Sequence, residues 1–490
     1  MPTIDIPLGE FLPSQPTAKN PGCVIADNVI PAEGGYAPLP APIARPETVP
    51  GRVHGAELMF RPEGVPFIVG GTSGRLFVRV GNTVTSQVST PALDVGLSWD
   101  FAQFNNFIIA TAPGNIPRYI PDYTAGVSFI ALPGSPPIAR YCERFAEFVM
   151  LGNIDGAESR VQWSSYNSPA GSWAPARITQ AGFNDLNPRF GAVTALVGGC
   201  YPMVFQDRAV WLVQYVGPPS VWQFTLASED RGCIAPFSAV TVGSQTFFLS
   251  QDGFWLTNGS EFVPIGSQRV NRWFFETADN ATLNRTQGTV DWRNKCIVWA
   301  FRSAQAPGED FDRVLIYSWE QDRFSTATIN VQRLVGSRIP GTTLEDLDAL
   351  FGSLENVTPN LDAAEWRAGD RILAAFIGQS GQAAYSTFNG PALEANWETG
   401  FFQPMPGSRA FVSEAQAVMD AQDWVMQVAP VQMDNQRTET YGPFTGPGVN
   451  GASPMRGDGK EMRLAVRMPD GATWERVIGV QLTFRPSGRR

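Results

Sequence analysis

Apolar residues come in short bursts along most of this chain, and glycine-bearing turns separate the bursts. The clearest case is Thr246–Gly266, TFFLSQDGFWLTNGSEFVPIG. Its runs at Phe247–Leu249, Phe254–Leu256 and Phe262–Ile265 predict three antiparallel strands joined by tight turns at Gln251-Asp252-Gly253 and Asn258-Gly259. A glycine suits such turns because it takes positive φ without a Cβ clash. A looser copy lies at Phe67–Val88, where Gly74 and Gly81 hold the places of Gly253 and Gly259. In both copies an apolar residue, Val84 or Phe262, follows three positions after the second glycine. A sheet of this size that repeats is the signature of a propeller blade.

Between residues 51 and 400 the pattern yields about seven such units, at Arg52–Val88, Trp99–Ile120, Arg144–Trp173, Pro202–Thr225, Ile234–Gly266, Val290–Thr326, and a split unit at Arg333–Arg338 with Ile372–Gly390. Their spacing of roughly 35–50 residues suits four-stranded blades. The expected fold is therefore all-β, a β-propeller of about seven blades. An insert at 343–370 interrupts the last unit; it is acidic, and Leu344, Leu347 and Leu350 recur at helical spacing. Residues 1–50 are rich in proline, which favours extended backbone, and predict an arm that lies on its own domain or reaches a neighbour. Residues 401–490 show longer alternating runs, Met462–Met468 and Val477–Phe484, and predict a β-sandwich or small barrel packed on the propeller.

Composition agrees with many short strands and turns: 48 Gly, 40 Pro, 32 Phe and 14 Trp in 490 residues, with 17% charged. A net charge of −10 argues against an outward nucleic-acid-binding face, but does not exclude a pore whose acidic wall would keep passing DNA from sticking. The single histidine, His54, nearly excludes histidine-based metal sites and Ser-His-Asp triads. Five scattered cysteines without a CxxC motif read as free thiols in a reducing compartment. MPTIDIPLGEF does not read as a signal peptide, and no apolar run approaches the ~20 residues that span a bilayer.

Propeller glycosidases need two carboxyl groups across a cleft. The candidates are Asp100, Glu143, Asp252 and Asp291. Asp252 reads as a turn residue, which bonds its own backbone. Asp100 and Asp291, beside Trp99 and Trp292, read as strand ends of a repeat, and Glu143 as the partner of Arg144 in a surface ion pair or a blade-edge contact. Arg456-Gly457-Asp458 falls in a glycine-rich stretch and carries no adhesive reading. The recurring tryptophans read as inter-blade packing. No cofactor, metal site or catalytic set is expected.

The segment NVIPAEGGYAPLP at Asn28–Pro40 resembles the N-terminal signature of the tail nozzle (hub, or packaged-DNA stabilisation) proteins of short-tailed bacteriophages. Phe247–Phe275 resembles a blade of the same group, with its SxDGF turn and its PIGxxxVxRWFF continuation. Ser353–Phe376, Leu393–Phe402 and the closing RPSGRR are similar to it as well. The resemblance implies a non-enzymatic virion tail component that forms a ring of copies, six by family expectation, around the DNA exit channel. Its partners would be itself, adaptor or portal-side tail proteins, tail fibres or spikes, and double-stranded DNA in transit. On that reading Phe11, Leu12, Tyr36 and Leu39 anchor the arm to partners, while Asp252, Glu261, Glu345, Asp346 and Asp348 face the channel. The alternative is a carbohydrate-active propeller, a polysaccharide depolymerase or a lectin.

Overall fold

The computed structural model describes residues 1–61, 64–81, 83–121, 128–338, 371–421, 425–433, 439–448 and 451–487. Six consecutive four-stranded antiparallel sheets start at Val53, Asp100, Ala139, Val193, Val240 and Gln287 and end at Ser89, Ala131, Asp185, Ser228, Pro264 and Ala327. They are blades 1 to 6 of a β-propeller. The fifth follows the predicted register: Leu249 pairs with Phe254 and Leu256 with Val263. Gly253 sits at φ 127°, and a Cβ there would fall 1.9 Å from the Asn271 amide nitrogen, so that turn admits only glycine.

Blade 7 closes the ring with strands from both ends of the propeller. Arg333–Arg338, Arg371–Gln379 and Gln382–Ala392 supply three strands, and Pro40–Pro50 adds the fourth on the outside. Four prolines, Pro40, Pro42, Pro46 and Pro50, fit there because an outer strand has one edge with no ladder to donate to. Val49, on this strand, is buried against Phe376 and Tyr385 in the core shared with blade 1.

The rest of the first fifty residues is equally committed. Thr3–Pro7 pairs with Trp474–Pro486, and the hairpin Val29–Ala32/Gly35–Pro38 extends the same sheet, which continues through Ala410–Ala421 to Ala452–Gly459. Cys23–Asp27 stands between the outer strand of blade 6 and Ala395–Thr399, making blade 6 and the second sandwich sheet one nine-stranded sheet. Asp27 seals this junction by accepting from the Thr326 and Thr328 hydroxyls, each at 2.8 Å. Of the two placements expected for the arm, the strands show the first: it lies on its own chain, built into the sheets. The apolar residues between the prolines pair in ladders and several bury, among them Val29, Ile30, Tyr36 and Val49. The sandwich comprises residues 3–38 together with 395–487, rather than 401–490 alone.

One apolar core runs from Phe247 and Phe254 of blade 5 and Trp299 of blade 6, through Phe274 of the short helix Asn271–Thr277, to Tyr36, Trp397 and Leu482 of the sandwich. Phe254 meets Trp299 at 4.7 Å and Phe274 at 4.9 Å between ring centroids. Tryptophans do pack between blades: the Trp99 indole of blade 2 donates to the Thr72 carbonyl of blade 1 at 3.0 Å, and that of Trp299 to Ser238 at 3.0 Å.

Candidate functional site

The innermost strands of a propeller surround an axial bore, and side chains on their inner edges meet there. Glu57, Asp100 and Glu143 lie on the inner strands of blades 1, 2 and 3, and Arg333 on that of blade 7, which adjoins blade 1. Each carboxylate is the one acid of its strand: VHGAELMF, DFAQF and ARYCERF.

Asp100 ties two blades together. Its Oδ2 accepts the N–H of Cys142 in blade 3 at 2.9 Å, and its Oδ1 accepts the N–H of Phe101 at 3.1 Å. Glu143 Oε1 accepts the N–H of Arg144 at 2.8 Å. Phe237, from the single turn Pro236–Ser238 before blade 5, has its ring 4.7 Å from the Arg333 guanidinium carbon and 6.1 Å from the Tyr141 ring. One aromatic ring therefore bridges blades 3 and 7 across the bore. The Arg333 Nε is buried without a hydrogen-bond partner.

Surroundings of low dielectric disfavour charge. Burial pushes Asp100 up to about 7, opposed by the Cys142 N–H, the Arg333 charge and the Phe101 N–H. Burial pushes Glu143 up to about 8; the Arg144 N–H opposes the rise and the Asp100 charge adds to it. Glu57 is raised well above the ordinary carboxylate range, by burial and then by the charges of Glu143 and Asp100. Glu57 keeps an exposed side chain although protein surrounds its carboxyl closely enough for burial to be the leading cause of that rise. Burial brings Arg333 down to about 10. At neutral pH the bore thus holds one guanidinium among carboxyls that retain much of their protons. Carboxyl groups poised this way are suited to proton transfer. The described residues hold no group of three or more His, Cys, Asp or Glu placed to bind a metal ion.

The residues singled out from sequence fall elsewhere, with two exceptions. Asp100 and Glu143 are in the bore, and Glu143 does not form a surface ion pair with Arg144, which instead reaches Glu147 at 3.7 Å. Asp291 is 5% exposed and caps a turn through the N–H groups of Arg293 and Asn294. Asp252 is an exposed turn residue whose Oδ1 accepts the Trp255 indole at 2.7 Å, and Glu261 is exposed on the next turn of the same blade. Glu345, Asp346 and Asp348 lie outside the described residues. Phe11, Leu12, Tyr36 and Leu39 are 2%, 6%, 0% and 4% exposed, so they anchor the N-terminal segment to this chain's own core and not to a neighbour. The Tyr36 hydroxyl donates to the Gly9 carbonyl at 2.8 Å. Arg456-Gly457-Asp458 is part of the strand Ala452–Gly459 rather than a loop. His54 is buried with Nδ1 2.9 Å from the Leu97 carbonyl. Of the five free cysteines only Cys200 is exposed. Glu57, Arg333 and Phe237 were not singled out; for Glu57 the available signal was that the first strands of three successive units each carry one acid.

No protein-family model and no curated protein matches the chain. Among solved structures it is similar to YCF48 bound to a D1 peptide, at 11% identity and a TM-score of 0.37 over 73% of this chain and 97% of that one. It is similar to the β-propeller domain of Myceliophteria thermophila Cps50 (Swd1), at 8% identity and a TM-score of 0.40 over 69% and 98%. A chain of the mitotic checkpoint complex aligns at 9% identity and a TM-score of 0.39 over 72% and 92%.

Proposed function

We propose that this chain is a non-enzymatic structural subunit of a phage tail, of the nozzle or hub type. Copies of it form a ring around the DNA exit path and help retain and release packaged DNA. The observation that carries this reading is the way the first fifty residues close blade 7 and complete both sandwich sheets, leaving one core across both parts. A subunit that holds DNA under pressure must transmit force without hinging, and a shared core with a sheet crossing the junction resists hinging as two linked domains do not. The segments at Asn28–Pro40 and Phe247–Phe275 that resemble nozzle proteins both lie in this shared region. Closed blades also leave few open sheet edges, so copies can be concentrated without edge-to-edge pairing, and heterologous contacts that close by rotation make rings.

Quantitative mass spectrometry of purified particles tests the proposal. A copy number equal to that of the other tail-ring proteins supports it, and absence from particles refutes it. A second reading, a carbohydrate-active propeller, draws on the near-neutral Asp100 and Glu143. Release of oligosaccharides from host polysaccharide, abolished by Glu143→Gln, would favour it over the structural role.

A further inference from the structure

We propose that an apolar patch on the rim of blades 3 and 4 docks a second copy of this chain, through that copy's proline-rich outer strand of blade 7. The inference rests on the reading that copies form a ring, and it names the two surfaces that meet. Tyr166 and Ile178 stand in the excursion between the third and outer strands of blade 3, and Tyr215 and Val216 on the third strand of blade 4. They gather around Phe148, which is 1% exposed. The Tyr166 and Tyr215 rings pack on it at 5.5 and 5.8 Å between centroids, and both residues are exposed, as is Val216. Ile178 precedes Thr179, whose carbonyl accepts the Tyr166 N–H at 2.9 Å, and is itself 96% exposed. Single exposed apolar residues are ordinary, but four gathered on held rings mark an interaction surface. The Tyr215 hydroxyl donates to Gln180 Oε1 at 2.9 Å, which fixes that ring, and a fixed ring loses little entropy on docking.

The complement lies on the far side of the same disc. The boundary of blades 3 and 4 stands three and a half blades from blade 7 in a ring of seven, which is diametrically opposite. Both surfaces sit toward the same end. The patch is at the end where the blade 3 inner strand finishes at Phe145, and Pro40–Ile43 is at the end where the blade 7 inner strand finishes at Arg338. The outer strand of blade 7 exposes Ile43, Ala44 and Pro46. Its prolines withhold N–H groups and discourage ladder pairing with another sheet, so it associates through side chains. Proline rings and tyrosine faces are complementary, the pairing by which aromatic-lined surfaces take Pro-rich segments. A patch and its complement on opposite rims make a heterologous contact. Each copy offers one surface to the copy before it and the other to the copy after it, and a series of such contacts that closes by rotation is a ring.

The test is sedimentation velocity of the purified full-length chain over a range of concentrations, with Ile178→Asp altering the patch and Ile43→Asp the strand. Both residues are exposed, so each variant should keep the wild-type thermal midpoint. Each places an unpaired carboxylate in the contact and should weaken self-association about a hundredfold. Mixed in equal amounts, the two variants should form a dimer and nothing larger. The intact patch of the Ile43→Asp protein meets the intact strand of the Ile178→Asp protein, and the remaining surfaces are blocked. A wild type that stays monomeric, a folded variant that assembles like wild type, or a mixture that stays monomeric or grows past the dimer would overturn the proposal. Retention of a monomeric wild type on host polysaccharide, lost in Ile178→Asp, would also overturn it and give the patch to a sugar. Presence in particles is measured separately, so failure of this contact and failure of the tail reading are told apart.

Discussion

Replacing Glu143 with glutamine isolates the electrostatics of the bore. Gln keeps an oxygen to accept the Arg144 N–H and replaces the ionisable hydroxyl with a neutral amide NH2. In the folded chain the Glu143 carboxyl titrates near 8 rather than at its ordinary 4.5. Below about pH 4 it is protonated in both folded and unfolded chains, and its contribution is whole. As pH rises toward 8 the unfolded chain releases this proton while the folded chain holds it, so stability falls; above 8 both forms are ionised and the loss is complete. At about 1.4 kcal/mol per pH unit the full span is roughly 5 kcal/mol. Glu143 is half-buried, so screening reduces the expected difference to about 2 kcal/mol. The assay is denaturant unfolding followed by tryptophan fluorescence on wild type and Glu143→Gln at pH 5, 6, 7, 8 and 9. The difference between the two proteins reports this carboxyl together with its coupling to Asp100 and Glu57. The variant should lie closest to wild type at pH 5 and exceed it increasingly up to pH 8, where the gap levels. A gap that does not change with pH would refute the buried-carboxyl account.

Phe237→Ala removes the ring that crosses the bore and admits water beside Arg333 and Tyr141. The midpoint of the Glu143-dependent change should move down by about one pH unit, measured by the same titration in the Phe237→Ala background. Tyr36→Ala opens a cavity in the shared core and removes the hydroxyl bonded to Gly9. It should destabilise the monomer by about 4 kcal/mol, seen as a lowered denaturation midpoint at concentrations where no ring forms. A normal midpoint with impaired assembly would restore the partner-anchoring role.

The propeller was legible because its signal is local. Glycine turns at Gly253 and Gly259 and apolar runs between them fix a hairpin whatever the rest of the chain does, and the same logic recurs unit by unit. Blade 7 was legible only as a fragment. Its outer strand, Pro40–Pro50, pairs with residues more than three hundred positions away, and proline density, which reads locally as a free arm, is equally what an edge strand tolerates. Nothing in the spacing of Cys23–Asp27 announces that it joins blade 6 to the sandwich. That placement is decided by tertiary pairing, to which local pattern is blind.

The bore was hidden for a related reason. Glu143 next to Arg144 has the look of an exposed pair, and on an isolated strand neighbouring residues do point to opposite faces. What decides the matter is that the strand is the innermost of its blade, so one face looks into a bore shared with Glu57 and Asp100 from other blades. A charge within an apolar run is a weak sign taken alone, since most such charges are surface residues. It gains force once the units are known to be blades: a lone acid in the first strand of three successive units then has one place to go, the axis. The site follows from the fold, and it becomes readable only after the fold has been assigned.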